Sequence, residues 1–352
     1  MRREETREVP LGRIKVGGKN PVWVEAMGRE HPAMVEKCVR EITMAEKAGC
    51  EIFRLAIPDQ RALEGLKEVR KYAHLPLVAD VHFDLRLGIE AARFGIEAIR
   101  INPGTIGRKA DFEELLETLK STGTTLRLGA NTGSIPSRLR GQDRIKALFE
   151  SMVNSVEVIE RKGIKNIILS AKSTEVEETI SIYEKLSATF TYPLHVGLTE
   201  AGSGIEGIIK STVALGTLLR TGIGNNIRVS LTSSSPVLET KVAWTLLESM
   251  GLRYRNIQII SCPTCARKRG NVVSLVHEFK KATEGFRPGL PLKVAIMGCE
   301  VNGPGEAKEA DWGLALSKNH RAALFAKGEV VEVVSQEMAL RKLLEKIKEK
   351  AQ

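Results

Sequence analysis

The chain has 352 residues, 42% of them hydrophobic and 27% charged, and carries a net charge of +10. That make-up belongs to an ordinary globular protein long enough for two domains, and it excludes a disordered or collagen-like chain. No uninterrupted apolar run approaches the ~18 residues of a membrane span, and the opening Met-Arg-Arg-Glu-Glu is too charged for a secretory signal, so a cytoplasmic protein without a membrane partner is expected.

Over the first 235 residues short β-branched runs alternate with amphipathic helical stretches. The pattern predicts strands at 21–27, 51–57, 77–82, 97–102, 125–130, 166–170, 194–198 and 227–231. Several follow a glycine that ends the preceding helix, as in Gly163-Ile and Gly222-Ile. Alternating β and α units imply a parallel sheet. Eight units imply an α/β protein whose first part is a (β/α)8 TIM-like barrel, with an open doubly wound sheet as the alternative.

Every predicted strand end carries polar residues. In order these are Glu25, Arg54, Asp80 with His82, Arg100 with Asn102, Arg127 with Asn131, Lys172, Thr199 with Glu200, and Arg228 with Ser230. A barrel gathers them on one rim, where active sites of this fold lie. A single strand-end arginine is ordinarily a surface salt bridge. Four arginines and a lysine on one rim match the oxygens of an anionic, phosphorylated small molecule. The loop from Glu200 to Gly207 fits G-x-G-x-x-G, but it falls in the seventh unit and no acid ends the next strand. Dinucleotide binding is rejected in favour of a phosphate cradle.

A helix predicted at 235–252 closes this domain, residues 1–252. Beyond it the pattern changes, with strands at 256–261, 292–298, 312–316 and 330–334 and helices at 272–283 and 337–350. Residues 253–352 thus form a small α+β domain. It holds 18 Lys and Arg against 11 Asp and Glu, a net +7. The excess suits an acidic partner or a plain solvated basic surface. No helix-turn-helix, zinc-finger pairing or aromatic-basic motif points to nucleic acid.

Of five cysteines, Cys38 and Cys50 lie in or beside the first helical stretch and read as buried small hydrophobes. Cys262 and Cys265 form a C-x-x-C step directly after a predicted strand, and Cys299 also ends one. The C-x-x-C pair alone fits zinc, a redox dithiol or an iron-sulfur cluster. A zinc ribbon needs a second pair, which is absent, whereas three thiolates leave the fourth corner of a cubane open. Glu306, just past the Asn302-Gly-Pro-Gly turn, is a candidate oxygen ligand, and equally a surface carboxylate.

These residues together make the sequence recognisable. It resembles the bacterial 4-hydroxy-3-methylbut-2-enyl diphosphate synthase family of the non-mevalonate isoprenoid pathway. The likeness runs nearly end to end through Ala79-Asp-Val-His-Phe83, Arg100-Ile-Asn-Pro-Gly104, Thr199-Glu-Ala-Gly202, Arg228-Val-Ser-Leu231, Cys262-Pro-Thr-Cys265 and the stretch from Gly298-Cys to Glu306. The resemblance implies an iron-sulfur oxidoreductase that opens 2-C-methyl-D-erythritol 2,4-cyclodiphosphate with two electrons and loss of water. It implies a barrel followed by a ferredoxin-reductase-like domain, and a [4Fe-4S] cluster on Cys262, Cys265, Cys299 and Glu306. It also implies a homodimer in which one subunit's cluster domain closes over the other's barrel, with reduced ferredoxin or flavodoxin as donor. By position, Arg54, Arg100, Arg127, Lys172, Arg228 and Ser230 would hold the diphosphate. Asp80, His82, Asn102, Asn131, Thr199 and Glu200 would line the rest of the pocket. Glu200, His82 and the ligand Glu306 are the candidate catalytic groups.

Two departures bear on the substrate. Where the family reads Val-Gln-Ser-Met-Thr, this chain has Val24-Glu25-Ala26-Met27-Gly28, and the stretch after Asn131 is shorter. A free Glu25 would oppose an anion; a protonated or salt-bridged one would not. The alternatives are a paralogue acting on another phosphorylated compound and a non-catalytic iron-sulfur electron-transfer protein.

Overall fold

The computed structural model describes residues 1–135, 139, 141, 143–233, 235–301, 305 and 307–351. It divides into two compact units, Met1–Arg253 and Tyr254–Gln352. No helix among the described residues is long and apolar enough to cross a membrane.

The first unit opens with an antiparallel hairpin, Val9–Leu11 (β1) and Ile14–Val16 (β2), which the sequence pattern did not predict. Eight parallel strands follow: Trp23–Met27 (β3), Ile52–Ile57 (β4), Leu77–Val81 (β5), Ala98–Ile101 (β6), Thr125–Asn131 (β7), Ile167–Lys172 (β8), His195–Val196 (β9) and Asn226–Ile227 (β10). Neighbours run in chain order from β3 to β8, and β10 lies between β9 and β3. A bridge between Leu169 and Leu194 brings β8 to β9. The ring closes as a TIM-like barrel, since an open doubly wound sheet would reverse its strand order midway.

Eight helices follow the eight strands: Val35–Ala48 (α1), Gln60–Tyr72 (α2), Leu85–Arg93 (α3), Lys109–Thr122 (α4), Arg144–Arg161 (α5), Val176–Thr189 (α6), Gly204–Arg220 (α7) and Pro236–Ser249 (α8). Each turns an apolar stripe to the outer face of the barrel. In α2 that stripe is Leu63, Leu66 and Val69, all fully buried. Each such side chain contributes about 1.5–3 kcal/mol of burial free energy. Asp59 accepts a hydrogen bond from Ala62 N at 2.8 Å and so caps α2. The unit is fastened at its end by Arg253, which pairs with Glu51 at 2.6 Å and lies 4.4 Å over the Trp244 ring.

Side chains of alternate residues point into the barrel, and they sort by depth. The lower layer is apolar: Ile52, Val78, Ala98 and Ile168 pack on Val9, Leu11 and Val16 of the hairpin, which plugs this end. Two residues further along the same strands stand Arg54, Asp80, Arg100 and Ser170, and two further again His82, Asn102 and Lys172. A period of two along each strand thus places charge directly above an apolar floor.

The second unit is a five-stranded sheet in the order Gln258–Ser261 (β11), Lys293–Met297 (β12), Trp312–Leu316 (β13), Arg321–Ala326 (β14) and Glu329–Ser335 (β15). The first three are parallel and the last two antiparallel. Helices Val272–Ala282 (α9) and Gln336–Ala351 (α10) complete it. Phe279 of α9 and Leu343 and Ile347 of α10 pack on Val294, Ile296 and Leu314. Strand β14 was not predicted. Its Arg-Ala-Ala-Leu-Phe-Ala carries no β-branched residue, and its strand state comes from pairing on both sides.

Candidate active site

At the C-terminal end of the barrel a cavity of about 150 Å³ is lined by Arg54, Asp80, His82, Arg100, Arg127, Asn131, Ser170, Lys172, Leu198, Thr199 and Arg228. Five cations meet one carboxylate there. Nine of the lining residues are ones the sequence singled out; Ser170 and Leu198 are not. Ser170 was legible as the residue two before Lys172 on one strand face, and Leu198 as the residue before Thr199.

Asp80 organises one side. It accepts a hydrogen bond from Arg100 Nη1 at 2.9 Å, and its other oxygen lies 3.7 Å from Arg54 Nε. His82 Nε2 stands 3.4 Å from Asp80 and in contact with Arg100 Nη1. Burial alone would push the Asp80 carboxyl up, but Arg100, Arg54 and His82 hold it well below the usual carboxylate range. Arg100 also donates to Gly129 O at 2.9 Å. A Cβ at Gly129 would lie 2.7 Å from Arg100 Nε, so glycine is what lets this arginine cross the neighbouring strand.

Arg127 and Glu25 are not rim residues. Both are fully buried, with Arg127 Nη1 donating to the two Glu25 oxygens at 2.7 and 2.6 Å and Nη2 to Asn226 Oδ1 at 3.3 Å. Arg127 forms the cavity floor, and Glu25 lies behind it as its counter-ion. The buried His195 completes the group, its Nε2 3.6 Å from Glu25. Burial, Lys172 and the surrounding arginines drive its pKa far down, so the ring is neutral. Glu25 therefore presents no free negative charge to the cavity.

Lys172 is the opposite case. It is buried, faces the cavity and has no carboxylate partner among the described residues. Burial, with Arg54 and Arg228 close by, pushes its pKa well below the ordinary lysine value. Arg228 shares Glu239 with Arg29, at 3.9 and 2.9 Å, and burial lowers it to about 10. Sequence reasoning missed Glu239 and Arg29. The one available signal was a carboxylate amid the Val237, Leu238 and Val242 of a predicted helix.

Three expected pocket residues do not line the cavity. Asn102 is buried as a cap, accepting from Gly104 N at 2.9 Å and donating to Ser134 Oγ at 2.8 Å. Ser230 lies outside the lining, and Glu200, next in sequence to the lining Thr199, is exposed with a left-handed φ of 52°. Phe83, beside His82, is likewise left-handed at 60°. Such backbone costs about 1–3 kcal/mol in a non-glycine residue and collects at functional sites. The Gly202–Gly207 loop does not reach the cavity either. It opens α7 behind Ser203, and Gly202 O accepts from Thr232 N at 2.9 Å.

In the second unit the parallel pair β11 and β12 aligns Ser261 with Ile296, so Cys262 and Cys299 follow neighbouring strand ends. Cys262 is half-buried, Cys265 exposed and Cys299 buried. Thr264 between the paired cysteines is left-handed at 61°. Gly298 N donates to Cys262 Sγ at 3.2 Å, and a Cβ there would press on that sulfur and on Val272. Among the described residues no three His, Cys, Asp or Glu side chains converge as ligands of one ion. Glu306 lies outside the described residues. Two of the thiols thus follow neighbouring strand ends, and a backbone amide is aimed at the Cys262 sulfur, as a thiolate ligand of an iron-sulfur centre would require.

Two family models cover the chain, the GcpE TIM-barrel domain over residues 6–244 and the GcpE protein C-terminal domain over 258–349. The 4-hydroxy-3-methylbut-2-en-1-yl diphosphate synthase (flavodoxin) of Caldanaerobacter subterraneus is 42% identical over 98% of this chain and 97% of its own. The enzyme of that name from Nitratidesulfovibrio vulgaris is 43% identical over 95% of this chain and 86% of its own. Among solved structures, dihydropteroate synthase from Stenotrophomonas maltophilia matches 69% of this chain and 99% of its own with a TM-score of 0.52. At 11% identity that likeness shows the barrel fold alone.

Proposed function

The chain belongs to the GcpE family, and from that membership and the charge of its cavity we propose that it is a 4-hydroxy-3-methylbut-2-en-1-yl diphosphate synthase supplied with electrons by flavodoxin. The reaction opens 2-C-methyl-D-erythritol 2,4-cyclodiphosphate: two electrons enter, the ring carbon–oxygen bond breaks to free a diphosphate oxyanion, a carbon–carbon double bond forms, and the adjacent hydroxyl takes up a proton and leaves as water. The observation that carries the reading is the surplus of cations, five lining one cavity beside a single carboxylate, four of them buried. A cyclic diphosphate supplies the negative charge this surplus lacks.

Within that surplus the roles divide by prior commitment. Lys172, Arg228 and Arg54 hold the diphosphate, with Asn131 and Thr199 as neutral partners. Arg100 and Arg127 are fixed by Asp80 and Glu25, so they shape the floor and set the field. His82 faces the cavity between Asp80 and Arg100 and is the better placed proton donor. The exposed Glu200, beside Thr199, is the second. Exclusion of water by this buried floor strengthens each charge–phosphate contact.

Cys262, Cys265 and Cys299 with Glu306 would hold a [4Fe-4S] cluster, which when bound supplies single electrons and a Lewis-acidic iron. The active form is a homodimer. The Glu25–Arg127 pair supports the cyclodiphosphate over another phosphorylated compound, because the departure at Glu25 is neutralised inside the protein.

Anaerobic reconstitution with iron and sulfide, followed by a strong one-electron reductant and the cyclodiphosphate, tests the reading. Product formation that is lost in Cys299→Ser is expected. A cluster spectrum without turnover would overturn the substrate while leaving the metal assignment.

A further inference from the structure

Beyond Cys265 and Ala266 come Arg267, Lys268 and Arg269, all exposed. Backbone hydrogen bonds stitch this run to the thiol edge. Lys268 N donates to Cys265 O at 3.0 Å, and Arg269 N to Gly298 O at 2.8 Å. Gly298 in turn donates to Cys262 Sγ at 3.2 Å. Arg269 stands 3.6 Å from the exposed Glu300, whereas Arg267 and Lys268 have no carboxylate partner among the described residues. Beside them opens a cleft of about 430 Å³ lined by Lys268, Arg269, Asn271 and Val273, the last 69% exposed. The surface is thus a cationic rim around an apolar spot, tied through two backbone bonds to the cysteines.

A one-electron carrier must approach the thiol ligands closely, since electron transfer weakens steeply with distance. It must also leave again, which favours steering by charge over a large apolar interface. A flavin carrier with an acidic rim around its exposed ring edge is the complement of this surface. Resting on the function proposed above, we infer that the Arg267–Lys268–Arg269 strip and its adjoining cleft are the docking surface for the acidic, flavin-bearing face of flavodoxin. Each encounter oxidises the carrier by one electron, and two encounters supply the two electrons of a turnover.

The test uses the reconstituted full-length enzyme and the double variant Arg267→Glu with Lys268→Glu. Calorimetric titration with oxidised flavodoxin at low salt is expected to show affinity reduced about tenfold or more, and kcat/KM for reduced flavodoxin should fall in step. Cluster absorption and turnover with a small chemical reductant should stay within twofold. The neutral pair Arg267→Gln with Lys268→Gln should fall between the variant and the parent. Unchanged flavodoxin affinity in the reversed variant would overturn the assignment. Should that variant fail to hold its cluster, the neutral pair and the salt dependence of the parent decide, and salt-independent affinity would equally overturn it. If the parent converts no cyclodiphosphate with the chemical reductant, the proposed function fails, yet the titration still judges the docking surface.

Discussion

The barrel cavity and the thiol edge are built on opposite plans. In the cavity the charged groups are buried and held before any ligand arrives: Arg100 by Asp80 and Gly129, Arg127 by Glu25 and Asn226. At the thiol edge the cysteines share a sheet end, one of them exposed, and no three acidic, thiol or imidazole groups converge among the described residues. The difference is physical. A charge-recognising site must be organised by the protein, because loose ions in water gain little from one another. A thiolate site draws its final geometry from coordination, whose free energy exceeds that of the protein contacts it rearranges.

The contrast is sharpest in Cys299→Ser. Turnover is expected to disappear with the cluster spectrum, while barrel binding of the cyclodiphosphate, followed by calorimetry, is retained. Loss of substrate binding in that variant would mean that the two sites are not separately organised. Next in size is Glu25→Leu, which leaves Arg127 charged, buried and unpaired. A loss of about 3–5 kcal/mol in denaturant unfolding is expected. Glu25→Gln, which keeps an acceptor for Arg127, should cost markedly less. Equal losses would show that packing rather than charge pairing holds this floor.

Lys172→Met separates binding from stability. Because Lys172 has no carboxylate partner among the described residues, its removal should leave unfolding stability unchanged or raised. Cyclodiphosphate affinity should fall about 10–100-fold, as for loss of a charge-assisted contact. A stability loss comparable to that of Glu25→Leu would contradict the reading of Lys172 as an uncommitted cation. The smallest effect is in the pH profile. Burial depresses the folded-state pKa of Lys172 below the ordinary 10.5. The unfolded chain therefore binds more protons between those two values, and stability rises with pH across that window. Subtracting the Lys172→Met profile, measured as Tm against pH, should isolate that rise. Identical profiles would mean that the lysine titrates as if solvated.

Much of the cavity was legible before the fold was known. A period of two along each strand puts Asp80 with His82, Arg100 with Asn102, and Ser170 with Lys172 on one face. Which of those residues meet the cavity was not legible. Asn102 is turned to capping by a hydrogen bond to Ser134, 32 positions away. Arg127 is withdrawn into the floor by a glutamate 102 positions earlier. The hairpin Val9–Leu11 and Ile14–Val16 escaped notice because three-residue strands carry too little pattern to register.

The sequence by itself therefore determined the alternation of strands and helices, the inward face of each strand and the grouping of three cysteines after strand ends. All three are local, set by side-chain periodicity and by turn residues a few positions apart. Only the tertiary structure decided depth and commitment: that Glu25 neutralises Arg127, that Glu239 is shared between Arg29 and Arg228, and that Lys172 is left without a counter-ion among the described residues. Those outcomes depend on strand register around a closed ring. Register brings together charges about 100 residues apart, and no local pattern encodes which of them will meet.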